Sequence, residues 1–236
     1  SGDRTTGAES GEEIVVHSPA QPVYDLIKFQ RPDGALDYET YVRVQVRGNR
    51  RKLRRTFVRE EVIQQVVDYL HQHGLSPSCG LCHGTRRGNE QRWFMDRLPD
   101  CNVLGTEIAP TATQFPDTIQ WDFHESKPEW VGAVDFIYTN SLDHAYDPEK
   151  AVTNWMRCLT PTGLCFVEWW GDASIAIGAI TDPFSATLET LVALMSHWGK
   201  KQYGVREVLP LRWSIHKIAR PLSHGGLIVL EQTGGV

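Results

Sequence analysis

The 236-residue sequence predicts an α/β fold in which helices cover both faces of a mostly parallel sheet. Three observations lead there. Short apolar runs alternate with helical patterns from about residue 60 onward, a rhythm that implies right-handed crossovers between parallel strands. The connections carry Gly and Pro where one element must hand over to the next, as at Gly84 to Gly88, Asp147-Pro148 and Pro161-Thr162-Gly163. Near the end, Ile215 to Arg220 and Leu227 to Gln232 flank Ser223-His224-Gly225-Gly226 and predict a closing antiparallel hairpin.

Taken in order, Ser1 to Glu13 is polar and reads as a disordered leader. Val23, Tyr24, Leu26 and Ile27 form a short apolar group that packs on the main domain, and Arg31-Pro32-Asp33-Gly34 is a turn. Asp37 to Arg59 is ambiguous by periodicity and is read as a helix. It carries the strongest charge run of the chain, Arg47, Arg50, Arg51, Lys52, Arg54, Arg55 and Arg59; a solvated face is the plain reading, an anion-binding patch for substrate the sharper one. Glu60 to His73 is an amphipathic helix with Val62, Ile63, Val66, Val67 and Leu70 on one face and Gly74 as its stop.

The first core strand follows and ends in the Gly84 to Gly88 turn; Asn89 to Leu98 is a helix and Asn102 to Thr106 the second strand. Ile119 to Phe123 is the third strand, Ala133 to Tyr138 the fourth, and a helix runs from Asp147-Pro148 to about Leu159. Leu164 to Trp169 is the fifth strand, and Asp182 to Trp198 a helix with Asp182 as N-cap. Five parallel strands and the hairpin make a seven-stranded, Rossmann-like sheet. Residues 61–236 form the main domain, and residues 1–60 an N-terminal extension, partly disordered, with the basic segment.

Composition narrows the function. A net charge of −5 argues against wholesale binding to nucleic acid or anionic membrane. No run approaches the roughly 18 apolar residues of a membrane span, and no secretory signal precedes the fold, so a cytoplasmic protein with a small-molecule partner is expected. The five cysteines read as free thiols. Cys79-x-x-Cys82-His83 formally matches haem attachment and a redox pair. A haem would require export, however, and a redox pair wants a helix N-terminus, whereas Cys79 precedes a strand and Cys82 lies within it. No second ligand pair suggests zinc, and no metal is expected.

In such a sheet, ligands sit beyond the carboxyl ends of the strands. Those ends carry Gly84, Glu107, Asp122, the Asn140 to His144 loop, and Glu168 to Trp170. Glycines let backbone approach a ligand, Glu107 is placed to accept from two ribose hydroxyls, and Asp122 beside Phe123 can read an amino group on a stacked ring. Together these describe an adenosine site. No Gly-Lys-Ser/Thr follows the turn, and Gly84-x-Arg86-x-Gly88 is not the Gly-x-Gly-x-x-Gly of dinucleotide binders.

From Gly80 to Trp170 the chain resembles the class I S-adenosylmethionine-dependent methyltransferases, in particular a small-molecule, type-11-like group. The resemblance implies a bound S-adenosyl-L-methionine held by His83, Gly84, Thr85, Arg86 and Gly88 under the methionine part. Glu107 and Ile108 would lie at the ribose, Asp122 and Phe123 at the adenine, and Asn140 and Ser141 along the methionine. It implies His144 as candidate base, with Asp143 orienting it or capping the next segment. Glu168, Trp169, Trp170, Arg51 and Arg55 stand as substrate candidates. Two departures are notable. Arg86 replaces the central glycine, where it would pair with the cofactor carboxylate or with Glu90, and the acid usual in the first strand is missing, with Gly80 or Cys82 in its place. Methyl transfer to a sugar or secondary-metabolite hydroxyl is the leading expectation. The alternatives are an RNA or protein methyltransferase using the Arg47 to Arg59 cluster, or an inactive cofactor-binding module.

Overall fold

The computed structural model describes residues 21–171, 176–212 and 224–234. The leader and the run Ile215 to Arg220 lie outside them. In chain order the elements are β1 (Tyr24–Leu26), α1 (Tyr38–Lys52), α2 (Glu60–Gln72), β2 (Cys79–His83), α3 (Asn89–Arg97), β3 (Asn102–Glu107) and β4 (Thr118–Gln120). There follow β5 (Val134–Thr139), α4 (Pro148–Cys158), β6 (Leu159–Gly171), β7 (Phe184–Ala186), α5 (Leu188–Gly199), β8 (Tyr203–Pro210) and β9 (His224–Gln232). The main sheet has seven strands in the order β4-β3-β2-β5-β6-β9-β8. Its first five are parallel, and β9 joins antiparallel to both β6 and β8.

Alternation along the strands sorts the core into two layers. Leu81, Ile137, Cys165, Val167, Ile228 and Leu230 face α4 and α5, which supply Trp155, Met156, Leu191 and Met195. Cys82, Phe136, Tyr138, Phe166, Leu227 and Val229 face α2 and α3, which supply Ile63, Val66, Leu70 and Phe94. A parallel sheet covered on both sides needs these near-continuous apolar strands, and that pattern made the sheet legible in the sequence. Burial pushes the Cys82 thiol well up, Cys101 up to about 12 and Cys158 up to about 11, so these cysteines behave as small apolar residues. All five are free.

Five expectations need correction. The third strand stops at Gln120 instead of running to Phe123. Asp122 ends it by accepting from the backbone N–H of His124 at 3.0 Å, a turn that competes with pairing. Pro161-Thr162-Gly163 does not separate helix from strand: β6 begins at Leu159, and Thr160 to Gly163 bulge out opposite Asp135 alone. The helix expected from Asp182 begins at Leu188 with Thr187 as its cap. Asp182 sits in a turn bonded to Ala179, and residues 184–186 pair as β7 with β1; a remote edge strand outcompeted local helix propensity there. The partner of β9 is β8, which the sequence reading did not assign as a strand. Finally, α1 ends at Lys52, short of Arg59.

Candidate active site

The strand ends β2 to β6 open on a cavity of about 390 Å³ that continues into a narrow lobe of about 40 Å³. Gly84, Arg86, Ser141 and His144 border both spaces. The turn after β2 is shaped by close approach. Gly84 has φ +72°, and a Cβ there would stand 2.5 Å from the Ser141 side chain. Gly88, at φ +75°, caps α3. Both positions therefore require glycine. Arg86 adopts φ +50° without being glycine, a strained conformation held by its surroundings. Its N–H donates to Glu107 Oε2 at 3.1 Å, and its guanidinium donates to the Arg55 carbonyl at 3.0 Å and lies 4.8 Å over the Phe57 ring. No hydrogen bond joins it to Glu90; it ties the turn to the α1–α2 connection.

Glu107 is buried at the end of β3 and accepts from Arg86 N–H and, through Oε1, from Ala109 N–H at 3.0 Å. Each oxygen keeps a second lone pair for a hydroxyl in the narrow lobe, which Ile108, Asp122 and Phe123 also line. Asp122 is already engaged: Oδ1 accepts from the His124 backbone and pairs with its Nδ1 at 2.7 Å, and Oδ2 accepts from the Tyr38 hydroxyl at 2.8 Å. The His124 ring beside Asp122 holds its carboxyl below the usual range despite the opposing effect of burial.

The lobe is closed from outside by α1. Tyr38 reaches Asp122, Tyr41 donates to the His144 carbonyl at 3.1 Å, Gln45 to the Thr181 carbonyl at 3.1 Å, and Asn49 Oδ1 accepts from Thr111 at 2.8 Å. Lys52 ends the row 3.8 Å from Asp182. These positions recur every three or four residues and so share one face. Apolar periodicity does not bring out this polar face; the spacing of Tyr38, Tyr41, Gln45, Asn49 and Lys52 is the signal for it in the sequence.

His144 follows β5 in a short turn and lines both spaces. Its Nδ1 lies 2.7 Å from the Thr181 carbonyl and 3.2 Å from Asp182 Oδ1. The Thr181 carbonyl, which can only accept, fixes the proton on Nδ1 and leaves Nε2 as the basic nitrogen, with the Asp182 carboxylate as a nearby charge. Asp143 stands 3.9 Å from Nε2, with its side chain half exposed. Asp143, His144 and Asp182 offer ligand atoms within 4.8 Å of one another, and Lys52 supplies a positive charge at the same place.

The remaining residues divide. Thr85, Asn140, Trp170 and Arg55 line the larger cavity, and Ser141 Oγ donates to Asn140 Oδ1 at 3.1 Å. His83 lies in the core instead: its ring stacks on Trp155, Nδ1 meets Thr106 at 2.8 Å, and burial pushes the imidazole down to about 3. Trp169 is likewise core, donating to the Ala186 carbonyl. Glu168 accepts from Tyr138 and Trp170 and lines a separate 110 Å³ pocket. Arg51 opens on the opposite side of α1, in a groove with Arg43, Arg47 and Arg50.

In fold, the chain is similar to several solved methyltransferases. One is the 1,6-didemethyltoxoflavin-N1-methyltransferase of Burkholderia thailandensis with 1,6-didemethyltoxoflavin and S-adenosylhomocysteine (15% identity, 92% of this chain and 98% of that one, TM-score 0.61). Another is an O-methyltransferase from a trans-AT PKS multienzyme of Brevibacillus brevis with S-adenosyl-L-homocysteine (12%, 94% and 85%, 0.57). A third is the plantazolicin methyltransferase BpumL with a triazolic desmethylPZN analog (12%, 81% and 97%, 0.54). No protein-family model and no curated protein matches the chain in sequence.

Proposed function

We propose that this chain, which has the fold of the class I S-adenosylmethionine-dependent methyltransferases, transfers a methyl group from S-adenosyl-L-methionine to a hydroxyl of a small molecule, a sugar or secondary metabolite, with His144 as base. The observation that carries the reading is the meeting of two spaces at one histidine: the narrow lobe holding Glu107 and the larger cavity both open on His144. The neighbours' bound S-adenosylhomocysteine and small-molecule ligands support it.

The residues present fit such a cofactor. Asn49 Nδ2 is buried without a hydrogen-bond partner at the lobe, and an orphaned buried amide is costly unless a ligand acceptor completes it. Glu107 keeps acceptor capacity on both oxygens. In this reading the nucleoside end occupies the narrow lobe, which α1 borders through Tyr41, Gln45 and Asn49. Residues 61–236 then supply most of the cofactor contacts, and α1 adds Asn49 from the segment before them.

When bound, S-adenosylmethionine supplies a methyl group already activated by its sulfonium. The protein's task is to position the acceptor and remove its proton. Phe57 and Trp170 give the larger cavity apolar walls, His144 Nε2 takes the hydroxyl proton, and the resulting charge on Nδ1–H is balanced by Asp182. Isothermal titration with S-adenosylhomocysteine is expected to show binding; its absence overturns the reading. Glu107→Ala should weaken that binding roughly 10- to 100-fold, the effect of losing hydrogen bonds to a charged acceptor. His144→Ala should lower turnover with binding intact, whereas equal loss of both would remove His144 as base. Binding with no methylated product from any metabolite extract would leave a cofactor-binding module.

A further inference from the structure

Glu90 is a buried carboxyl that the reading above leaves without a role. It lies in the first turn of α3, is 8% exposed, and lines the larger cavity. Its Oε2 is buried with no hydrogen-bond partner, although Arg86 is a near charge and Glu168 and Glu107 are near like charges. Burial pushes the carboxyl up to about 7. A buried carboxyl with one oxygen left unpartnered is unfavourable unless a ligand brings a donor to it. Of the two strand positions where the resemblance places an acid, Gly80 has no room for a side chain, since a Cβ there would stand 2.4 Å from the Phe136 ring, and Cys82 points into the apolar layer under α2 and α3. Glu90 in the first turn of α3 lines the same cavity as Gly84, Thr85 and Arg86, and Arg55 lines it as a cation.

We propose that Glu90 is the subsite for a ligand ammonium group, binding the α-amino group of the cofactor's amino-acid part beside the Gly84 to Gly88 turn. This rests on the methyl-transfer reading and adds the residue that reads the zwitterionic head. Ammonium and carboxylate form a charge-assisted pair that supplies the missing partner of Oε2.

The test compares wild type with Glu90→Gln, titrating each with S-adenosylhomocysteine and with its analogue carrying hydrogen in place of the α-amino group. The variant is expected to bind S-adenosylhomocysteine roughly 10- to 100-fold more weakly, to bind the analogue as wild type does, and to melt no lower than wild type. Equal effects on both ligands, or no effect on either, would overturn the assignment, as would a lower melting temperature with unchanged affinities, which would mark Glu90 as a helix-terminus residue only. Should the Gln variant not fold, Glu90→Asp is expected to shift the same affinity ratio in the same direction by less, and an unchanged ratio overturns the proposal. Failure of wild type to bind either nucleoside would overturn the methyl-transfer reading itself, which distinguishes the two.

Discussion

Helices α1 and α2 are neighbours in sequence and opposites in design. The inward face of α2 is Val62, Ile63, Val66 and Leu70, each fully buried against the sheet. The inward face of α1 is Tyr38, Tyr41, Gln45, Asn49 and Lys52, each reaching a polar group at a strand end or on the 179–182 turn. One face contributes to the core in proportion to the apolar area it removes from water. The other gains little net stability per hydrogen bond, because every bond replaces one to water. Tyr41 is the exception on α1: it is fully buried and packs edge-on against Phe29, His124 and Tyr146, so it anchors the helix by burial as well as by its bond to the His144 carbonyl.

The comparison breaks first on α2. Ile63→Ala, deleting a fully buried side chain, should lower unfolding free energy by about 2–5 kcal/mol and leave S-adenosylhomocysteine affinity unchanged while the protein is folded. Urea denaturation beside titration separates the two readouts, and a large affinity change would make α2 part of the site.

His83 is one of the buried polar side chains on the core side. Its folded imidazole is held near 3 and so stays neutral, whereas the unfolded chain takes up a proton below about 6.5. Its contribution is present above that value and is lost as pH falls, roughly 2–3 kcal/mol between pH 6.5 and 4.5. In His83→Phe the same pH range should cost less by that amount. Parallel urea midpoints for the two proteins would refute it.

On α1 the expected effects are smaller. Tyr38→Phe removes the bond to Asp122 Oδ2 and should cost about 1 kcal/mol or less, while freeing an acceptor in the lobe. Nucleoside affinity should hold or rise, and a fall would show that the Tyr38 hydroxyl itself meets ligand. Smallest of all, Arg51→Ala on the outer face of α1 should change stability by less than about 0.5 kcal/mol and leave affinity alone. A drop in substrate affinity would restore the basic groove as a substrate surface.

The same contrast explains what could be read in advance. The five parallel strands and the helices between them, the core face of α2, the glycine-dependent turn at Gly84 and Gly88, and the placement of Glu107 and His144 at or beyond strand ends were legible, because apolar periodicity and turn chemistry are local properties of the chain. What only the tertiary structure decided was the partner of each polar group. Asp122 is engaged by Tyr38 from 84 residues away, Arg86 turns to Phe57 and not to Glu90, His83 enters the core through Thr106 and Trp155, and residues 184–186 leave a helical pattern to pair with β1. A hydrogen bond depends on where a remote partner stands, and no spacing along the chain encodes that position.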